Sequence, residues 1–325
     1  MTIGICNKKQ IIKTNSENII SHKTLSSMNT RMDVVISLVE KAKAAFIFSI
    51  IEHELTRLEN KFSRFCKESI IYILNNSAHK QPVVVDEETY SLLSACQKYN
   101  QKTLGFFDIS LGLLATFRRE GKDTNDSELT SLIGGLGMDK IEINPDDHRV
   151  YFKNNQIQID LGAIGKGYAL EQIGQILLSN DIRNAFISFG ESSVLSVGTH
   201  PYGDSWPVGI RNIYNDKEVI YSFNLKNQSL STSGGAGHII NPKTGEPVKV
   251  EKTVSVLSDS AVEAEVLSTA IIASDDKNQI LNQFTNIQMV EVQYHPDKTY
   301  QIDELYFNVK VEDPISFPSV KRSTE

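Results

Sequence analysis

Short strand-like runs dominate the second half of the chain: Val150 to Ile159, Ala185 to Phe189, Val194 to Val197, Val219 to Leu225, Thr253 to Leu257, Met289 to Tyr294 and Tyr300 to Ile302. Only two stretches with helical patterning, Ile164 to Leu178 and Ser260 to Ala273, interrupt them. A repeating βαβ fold needs a helix in every crossover, so this order points to an α+β fold with irregularly inserted helices. Upstream, Arg31 to Leu38 reads as a strand. Phe46, Ile50, Ile51, Leu55 and Leu58 then recur at helical spacing to about Phe62, with Glu52, Glu54, Arg57 and Glu59 on the other face. Pro82 to Val85 closes a loop before a second helical pattern, Glu87 to Gln101. No repeat, low-complexity block or linker divides the chain, so a single domain over residues 28–312 is expected, between a tail at 1–27 read as disordered and a tail at 313–325.

Composition narrows the function. Hydrophobic residues make up 40% of the 325 and charged residues 22%, the usage of an ordinary folded protein with a real core. A net charge of −7 without a basic stripe speaks against a nucleic-acid partner. Cys6, Cys66 and Cys96 are odd in number and lack metal-ligand spacing, so they read as free thiols in a reducing compartment. Residues 1–27 are polar and mixed, without an export signal, and Glu40, Lys41 and Lys43 interrupt the apolar stretch Val34 to Ile51 too often for a bilayer span. The expectation is a soluble, cytoplasmic protein with no membrane insertion.

Chemistry is concentrated in a few segments. In Asp160-Leu-Gly-Ala-Ile-Gly-Lys-Gly-Tyr168 a strand ends in an acid, and a glycine-rich turn leads into a helix whose free N–H groups, with Lys166, suit a phosphate. Leu230-Ser-Thr-Ser-Gly-Gly-Ala-Gly-His238 is a small-residue cradle for an anion, with His238 placed to exchange a proton, and Asn241-Pro-Lys-Thr-Gly245 is a tight turn behind it. In the helix around Ala261 to Ala270, Glu265 and Thr269 share one face with Ser268 beside them, a hard-oxygen set of the kind magnesium takes. Gly105-Phe-Phe-Asp108 reads as either a pocket wall or a core turn.

Taken in this order, the segments resemble the ApbE-like FAD:protein FMN transferases. That pattern has an Asp-Leu-Gly turn with a Lys-Gly-Tyr helix start, a Ser-Thr-Ser-Gly loop, a His-Ile-Ile-Asp/Asn-Pro-Lys-Thr-Gly stretch and an Ala-Asp-x-Leu-Ser-Thr-Ala helix. The likeness extends back through Gly105-Phe-Phe-Asp108 and Ser69 to Asn75 to Met28-Asn-Thr30, covering roughly residues 28–310. It implies one ApbE-like domain with mostly antiparallel sheets and inserted helices. By the resemblance, Met28, Phe65, Phe106, Phe107, Asp108, Asp160, Lys166, Thr232, Ser233 and Ile239 bind FAD, with Met28 and Phe65 on the adenine side. The main-chain oxygen of Ala163 with Glu265, Ser268 and Thr269 would hold Mg2+, and His238 would be catalytic near the pyrophosphate. The implied reaction moves FMN from FAD to a Thr or Ser hydroxyl of an acceptor protein and releases AMP. FAD hydrolysis to FMN and AMP, or flavin binding without chemistry, are the alternatives. This chain departs from the pattern in three places: Glu265 stands for Asp, only Gly235-Ala-Gly237 separates Ser231-Thr-Ser-Gly234 from His238, and Phe189-Gly-Glu-Ser192 replaces Gly-Gly-Asn.

Overall fold

The structure is a computed structural model that describes residues 3–5, 20–120 and 126–307, with side chains at 3–5, 126–128, 235–238 and 307 outside that description. In chain order the elements are β1 (Ile3–Ile5), β2 (Ile20–Ser27), β3 (Thr30–Ser37), α1 (Lys41–Phe62), α2 (Ile70–Ser77), β4 (Val83–Val84), α3 (Glu87–Lys102), α4 (Gly112–Arg119), α5 (Asp126–Gly135), β5 (Ile141–Ile143) and β6 (Arg149–Phe152). There follow α6 (Gly165–Ser179), β7 (Ala185–Phe189), β8 (Ser193–Val197), β9 (Trp206–Asn212), β10 (Asn215–Leu225), β11 (Ser229–Ile240), β12 (Pro247–Ser258), α7 (Ala261–Ala273), α8 (Lys277–Leu281), β13 (Ile287–Tyr294) and β14 (Tyr300–Phe307). The expected mixture of inserted helices and antiparallel sheet is what the chain builds. None of the described helices is long and apolar enough to cross a membrane.

The chain groups into two compact units, each made of separate segments. The first comprises Met1–Arg57, Gly165–Thr232 and Ser255–Glu265. Its sheet runs β11-β8-β7-β3-β2, antiparallel throughout, with Met32 opposite Phe189 and Ala185 opposite Val197. Alternation places Met32, Val34 and Ile36 of β3 in the core, whereas all five residues of β7 are buried. The continuous run Ala-Phe-Ile-Ser-Phe is what a strand covered on both faces requires. Helix α6 packs on β7 and β8, burying Leu170, Ile173 and Leu177, and Trp206 of β9 stacks on Phe186 with ring centroids 5.4 Å apart.

The second unit comprises Leu58–Ile164, Ser233–Val254 and Val266–Glu325. It contains the small antiparallel sheet β4-β6-β5 and the β13–β14 hairpin, whose register pairs Ile287 with Phe307 and Tyr294 with Tyr300. Asp86 caps α3, its carboxylate accepting from the Thr89 N–H at 2.9 Å and pairing with Lys61. Leu114, Leu132 and Leu136 form a cluster beneath α4 and α5.

Several boundaries differ from the sequence expectation. Residues 20–27, expected in a disordered tail, form β2, because a two-residue loop with Met28 and Asn29 both at positive φ returns the chain onto β3. The strand expected from Val150 to Ile159 stops at Phe152, where Asn154 turns the chain by accepting from the Gln156 N–H at 2.9 Å. The segment from Gly235 to Gly237, expected as a loop, lies inside β11. Strands β1, β4, β5 and β9 and helices α2, α4, α5 and α8 have no counterpart in the sequence expectation.

Two outcomes test this packing. Gly167 of α6 lies so close to α7 that an added Cβ would sit 2.6 Å from the Ala261 carbonyl oxygen and 2.9 Å from the Val262 Cα. Backbone cannot yield as a flexible side chain does, so Gly167→Ala should lower stability by roughly 1–3 kcal/mol despite the higher helix propensity of alanine, measured as a fall in denaturation midpoint. Burial raises the Asp86 carboxyl, but Lys61 and Thr89 outweigh it and hold the group down at about 2, below its ordinary 3.8. The stabilisation from this cap is therefore present above pH 3.8 and lost as pH falls through about 2. Asp86→Ala should cost about 1 kcal/mol at pH 7, and the gap between its urea midpoint and that of the parent should close on acidification through that window.

Candidate active site

In the first unit the chemistry centres on the start of α6. The ammonium of Lys166 reaches Glu265 Oε1 at 3.0 Å, Ser192 Oγ at 2.9 Å and Ser193 Oγ at 2.8 Å, which accounts for its three hydrogens. The other carboxylate oxygen, Glu265 Oε2, accepts from the Gly167 N–H, and the side chain is 4% exposed. Met28 lies against the same turn, its sulfur 3.9 Å from where a Cβ on Gly165 would stand. The Thr232 hydroxyl is buried against Ser255 Oγ at 2.8 Å, and its N–H donates to the Ser192 carbonyl. The β7–β8 turn that replaces Gly-Gly-Asn holds both Gly190 and Glu191 at positive φ.

Helix α7 supplies Glu265 to this unit and Ser268 and Thr269 to the other. Its N-terminus is anchored on α6 by Glu171, which accepts from the Ser260 hydroxyl and from the Val262 N–H at 3.2 Å. Ser260 in turn caps the helix by accepting from the Glu263 N–H at 3.1 Å.

In the second unit, Ser233 Oγ lies 2.9 Å from Ser268 Oγ and 3.5 Å from Thr269 Oγ1, a linked group of hydroxyls. Ile239 is buried; the side-chain position of His238 lies outside the described residues. The turn ending in Gly245 forms as expected, with Lys243 N–H donating to Asn241 Oδ1 and Gly245 N–H to the Asn241 carbonyl. Lys243 extends over the Phe106 ring, 5.6 Å from its centroid. Gly105, at φ +81°, leaves room for that ammonium, which would be 2.6 Å from an added Cβ.

Phe107 and Asp108 sit deeper than a pocket wall would. The Phe107 ring is 1% exposed and packs edge-on against Tyr99. Asp108 accepts from the N–H groups of Ser110 at 2.7 Å and Met138 at 3.3 Å, and burial pushes its carboxyl up against the effect of those bonds. Asp108, with the Ser110 hydroxyl that accepts from the Gly137 N–H, fastens the 105–110 segment to residues 137–138. Asp160, by contrast, is partly open: Oδ1 accepts from the Gly162 N–H at 2.9 Å, and Oδ2 lies 3.2 Å from Arg64 Nε. Asn75 bonds both the N–H and the carbonyl of Ile159, fixing the residue before it. Phe65 is 66% exposed, with the guanidinium groups of Arg64 and Arg119 at 4.8 Å and 5.9 Å from its ring centroid.

Among the described residues no group of three or more His, Cys, Asp or Glu comes together. The residues that the resemblance assigns to a metal, Glu265, Ser268, Thr269 and the Ala163 main chain, offer carboxylate, hydroxyl and carbonyl oxygens. That donor chemistry fits magnesium, which prefers hard oxygens. Sequence alone does not mark Arg64, Ser193 or Ser255 as site residues, and it marks Ser192 only as part of a turn that departs from the family pattern. The polar residue before Phe65 and those closing the β7–β8 turn are the signal for Arg64, Ser192 and Ser193, and nothing in the sequence marks Ser255.

The ApbE family model matches residues 28–290, a continuous stretch that takes in segments of both units. An FAD:protein FMN transferase of Buchnera aphidicola subsp. Schizaphis graminum is 26% identical over 247 residues, 70% of this chain and 72% of that protein. The crystal structure of the ApbE protein of Thermotoga maritima superposes with a TM-score of 0.77 at 27% identity, over 87% of this chain and 96% of that one. The flavin transferase ApbE of Vibrio cholerae gives 0.79 at 19% identity, over 89% and 97%, a likeness of fold. With the Asp160–Lys166 turn, the serine-rich strand and the Glu265–Thr269 helix all inside the matched span, the chain belongs to the ApbE family.

Proposed function

We propose that this chain is an FAD:protein FMN transferase, which moves FMN from FAD to a Thr or Ser hydroxyl of an acceptor protein and releases AMP. The observation that carries the reading is the continuous family match over residues 28–290, which holds every residue assigned to the site, together with the name of the Buchnera relative. Met28 and Phe65 would take the adenine side, and Phe106, Phe107, Asp108, Asp160, Lys166, Thr232, Ser233 and Ile239 the rest of the dinucleotide. The exposed ring of Phe65 supports this reading, because a flat apolar surface offers a stacking partner to a purine. Phe107 would contribute by fixing the position of Phe106.

Glu265, Ser268, Thr269 and the Ala163 carbonyl would hold Mg2+, which when bound neutralises charge on the pyrophosphate. The chain's own task is to orient the acceptor and handle its proton. The acceptor hydroxyl oxygen bonds to the FMN-side phosphorus, the bond from that phosphorus to the AMP oxygen breaks, and AMP leaves. His238 would take the proton that the hydroxyl loses.

Incubation of the chain with FAD, magnesium and a candidate acceptor should add to the acceptor the mass of FMN less water, with one AMP per label, and EDTA should abolish the label. FMN and AMP appearing beside an unmodified acceptor would identify water as the acceptor instead. No AMP under any condition would leave a flavin binder. His238→Ala should bind FAD as the parent does while transfer falls by about 10²–10⁴-fold, since affinity comes from the ring contacts and the rate from proton transfer. Parent-like turnover of this variant would remove His238 from the chemistry.

A further inference from the structure

Arg64 is buried at the end of the α1 segment, with a side chain only 8% exposed, while the Asp160 it pairs with is 29% exposed. The cation stands behind and the acid in front. Arg64 Nη1 donates to the Gly112 carbonyl at 2.7 Å and to Thr116 Oγ1 at 3.2 Å, which fixes the guanidinium at the first turn of α4. Gly112 is itself pinned, its N–H donating to the Gln158 carbonyl at 2.8 Å, and a Cβ there would lie 2.6 Å from that oxygen and 3.1 Å from Arg64 Nη1. Arg64 Nη2 is buried and meets no hydrogen-bond partner among the described residues. A side chain serving only to fill this space would be better apolar, because an orphaned buried donor and a buried charge both cost stability.

From this arrangement we infer that Arg64 is a positioning residue of the FAD site, which fixes the Asp160 carboxylate and cancels its charge so that Asp160 accepts from an N–H or O–H of the dinucleotide without repelling its phosphates. The inference rests on the reading that Asp160 contacts FAD. Asp160 Oδ1 accepts from the Gly162 N–H, and Oδ2 faces the Arg64 guanidinium as an ion pair, so acceptor capacity remains on the carboxylate for a ligand donor. An unpaired carboxylate at that place would repel a pyrophosphate, most strongly at low ionic strength. Arg64 also lies against the Phe65 ring, so one guanidinium sets two of the residues assigned to the nucleotide.

The test is a double-mutant cycle on FAD affinity with Arg64→Met, Asp160→Asn and both together, with thermal midpoints measured alongside. Each single change should weaken FAD binding about tenfold, and the double variant should lose no more than Asp160→Asn alone, within about twofold. The loss in Arg64→Met should shrink as salt is raised, whereas that in Asp160→Asn should not. Losses that multiply in the double variant, or an Arg64→Met loss indifferent to salt, would overturn the positioning role. Wild-type affinity in Asp160→Asn would instead overturn the assignment of Asp160 as a contact, and a parent chain that fails to bind FAD would overturn the proposed function itself. Should Arg64→Met not fold, Arg64→Lys retains the charge without the fork; it should weaken binding less, keep the salt response of the parent, and lose its effect in the Asp160→Asn background. A multiplicative Lys effect there would sink the idea equally.

Discussion

Glu265 is a carboxylate almost wholly removed from water, and a charge in that position persists only if it is paired and hydrogen-bonded. Its two oxygens go to the Lys166 ammonium and the Gly167 N–H, both at the first turn of α6. That single acid therefore decides how α6 and the first turns of α7 approach one another. The approach leaves no space for a side chain at position 167, which is why a glycine stands there. Lys166 must then satisfy its remaining hydrogens, and the hydroxyls of Ser192 and Ser193 at the start of β8 do so. The β7–β8 register, with Phe189 opposite Ser193, sets where those hydroxyls stand.

The presence of Glu where the family pattern has Asp acquires a physical meaning in this frame. An aspartate on the same backbone would end about 1.5 Å short, one carbon–carbon bond, and would not reach both donors without a shift of α7. The longer side chain closes the contact with α6 directly. Because Gly167 donates from the free N-terminal turn of a helix, the carboxylate also meets the favourable end of the α6 dipole.

Much of this was legible from the sequence, for identifiable reasons. The continuous apolar run Ala185 to Phe189 of β7 and the β-branched Val34-Val35-Ile36 of β3 announce strands, because burial on a pleated surface favours such residues. The turn at Asn241 to Gly245 was legible because Asn, Pro and Gly each carry their own backbone preference. Strand β9, Trp206 to Asn212, was not, since Pro207 and Gly209 interrupt its pattern and its support is the stack of Trp206 on Phe186, a long-range contact. The glycines of β11 read as a loop because glycine lacks strand propensity, yet ladder pairing overrides it. At the site, residue types were readable and their partners were not. Lys166 looked like a free cation from its neighbours in sequence, and only the fold places Glu265, 99 positions on, against it.

Those pairings constrain the chemistry available to an anionic substrate. Lys166 is neutralised by Glu265 in one unit, and Arg64 by Asp160 in the other. To neutralise a phosphate, either cation would have to leave its acid unpaired, at a cost that grows with burial, and burial is greatest for Glu265 and Arg64. Lys243 lies over the Phe106 ring and forms no ion pair among the described residues, but it is a single charge on a flexible stem. In a chain of net charge −7, the two cations among the residues assigned to the nucleotide and its support, Lys166 and Arg64, are thus already committed to acids, whereas a pyrophosphate carries two negative charges. Under the proposed function, affinity would come from ring stacking and from charge-balanced pairs such as Arg64–Asp160. The charge that has to be offset for phosphoryl transfer would come from a divalent cation rather than from the protein's own side chains.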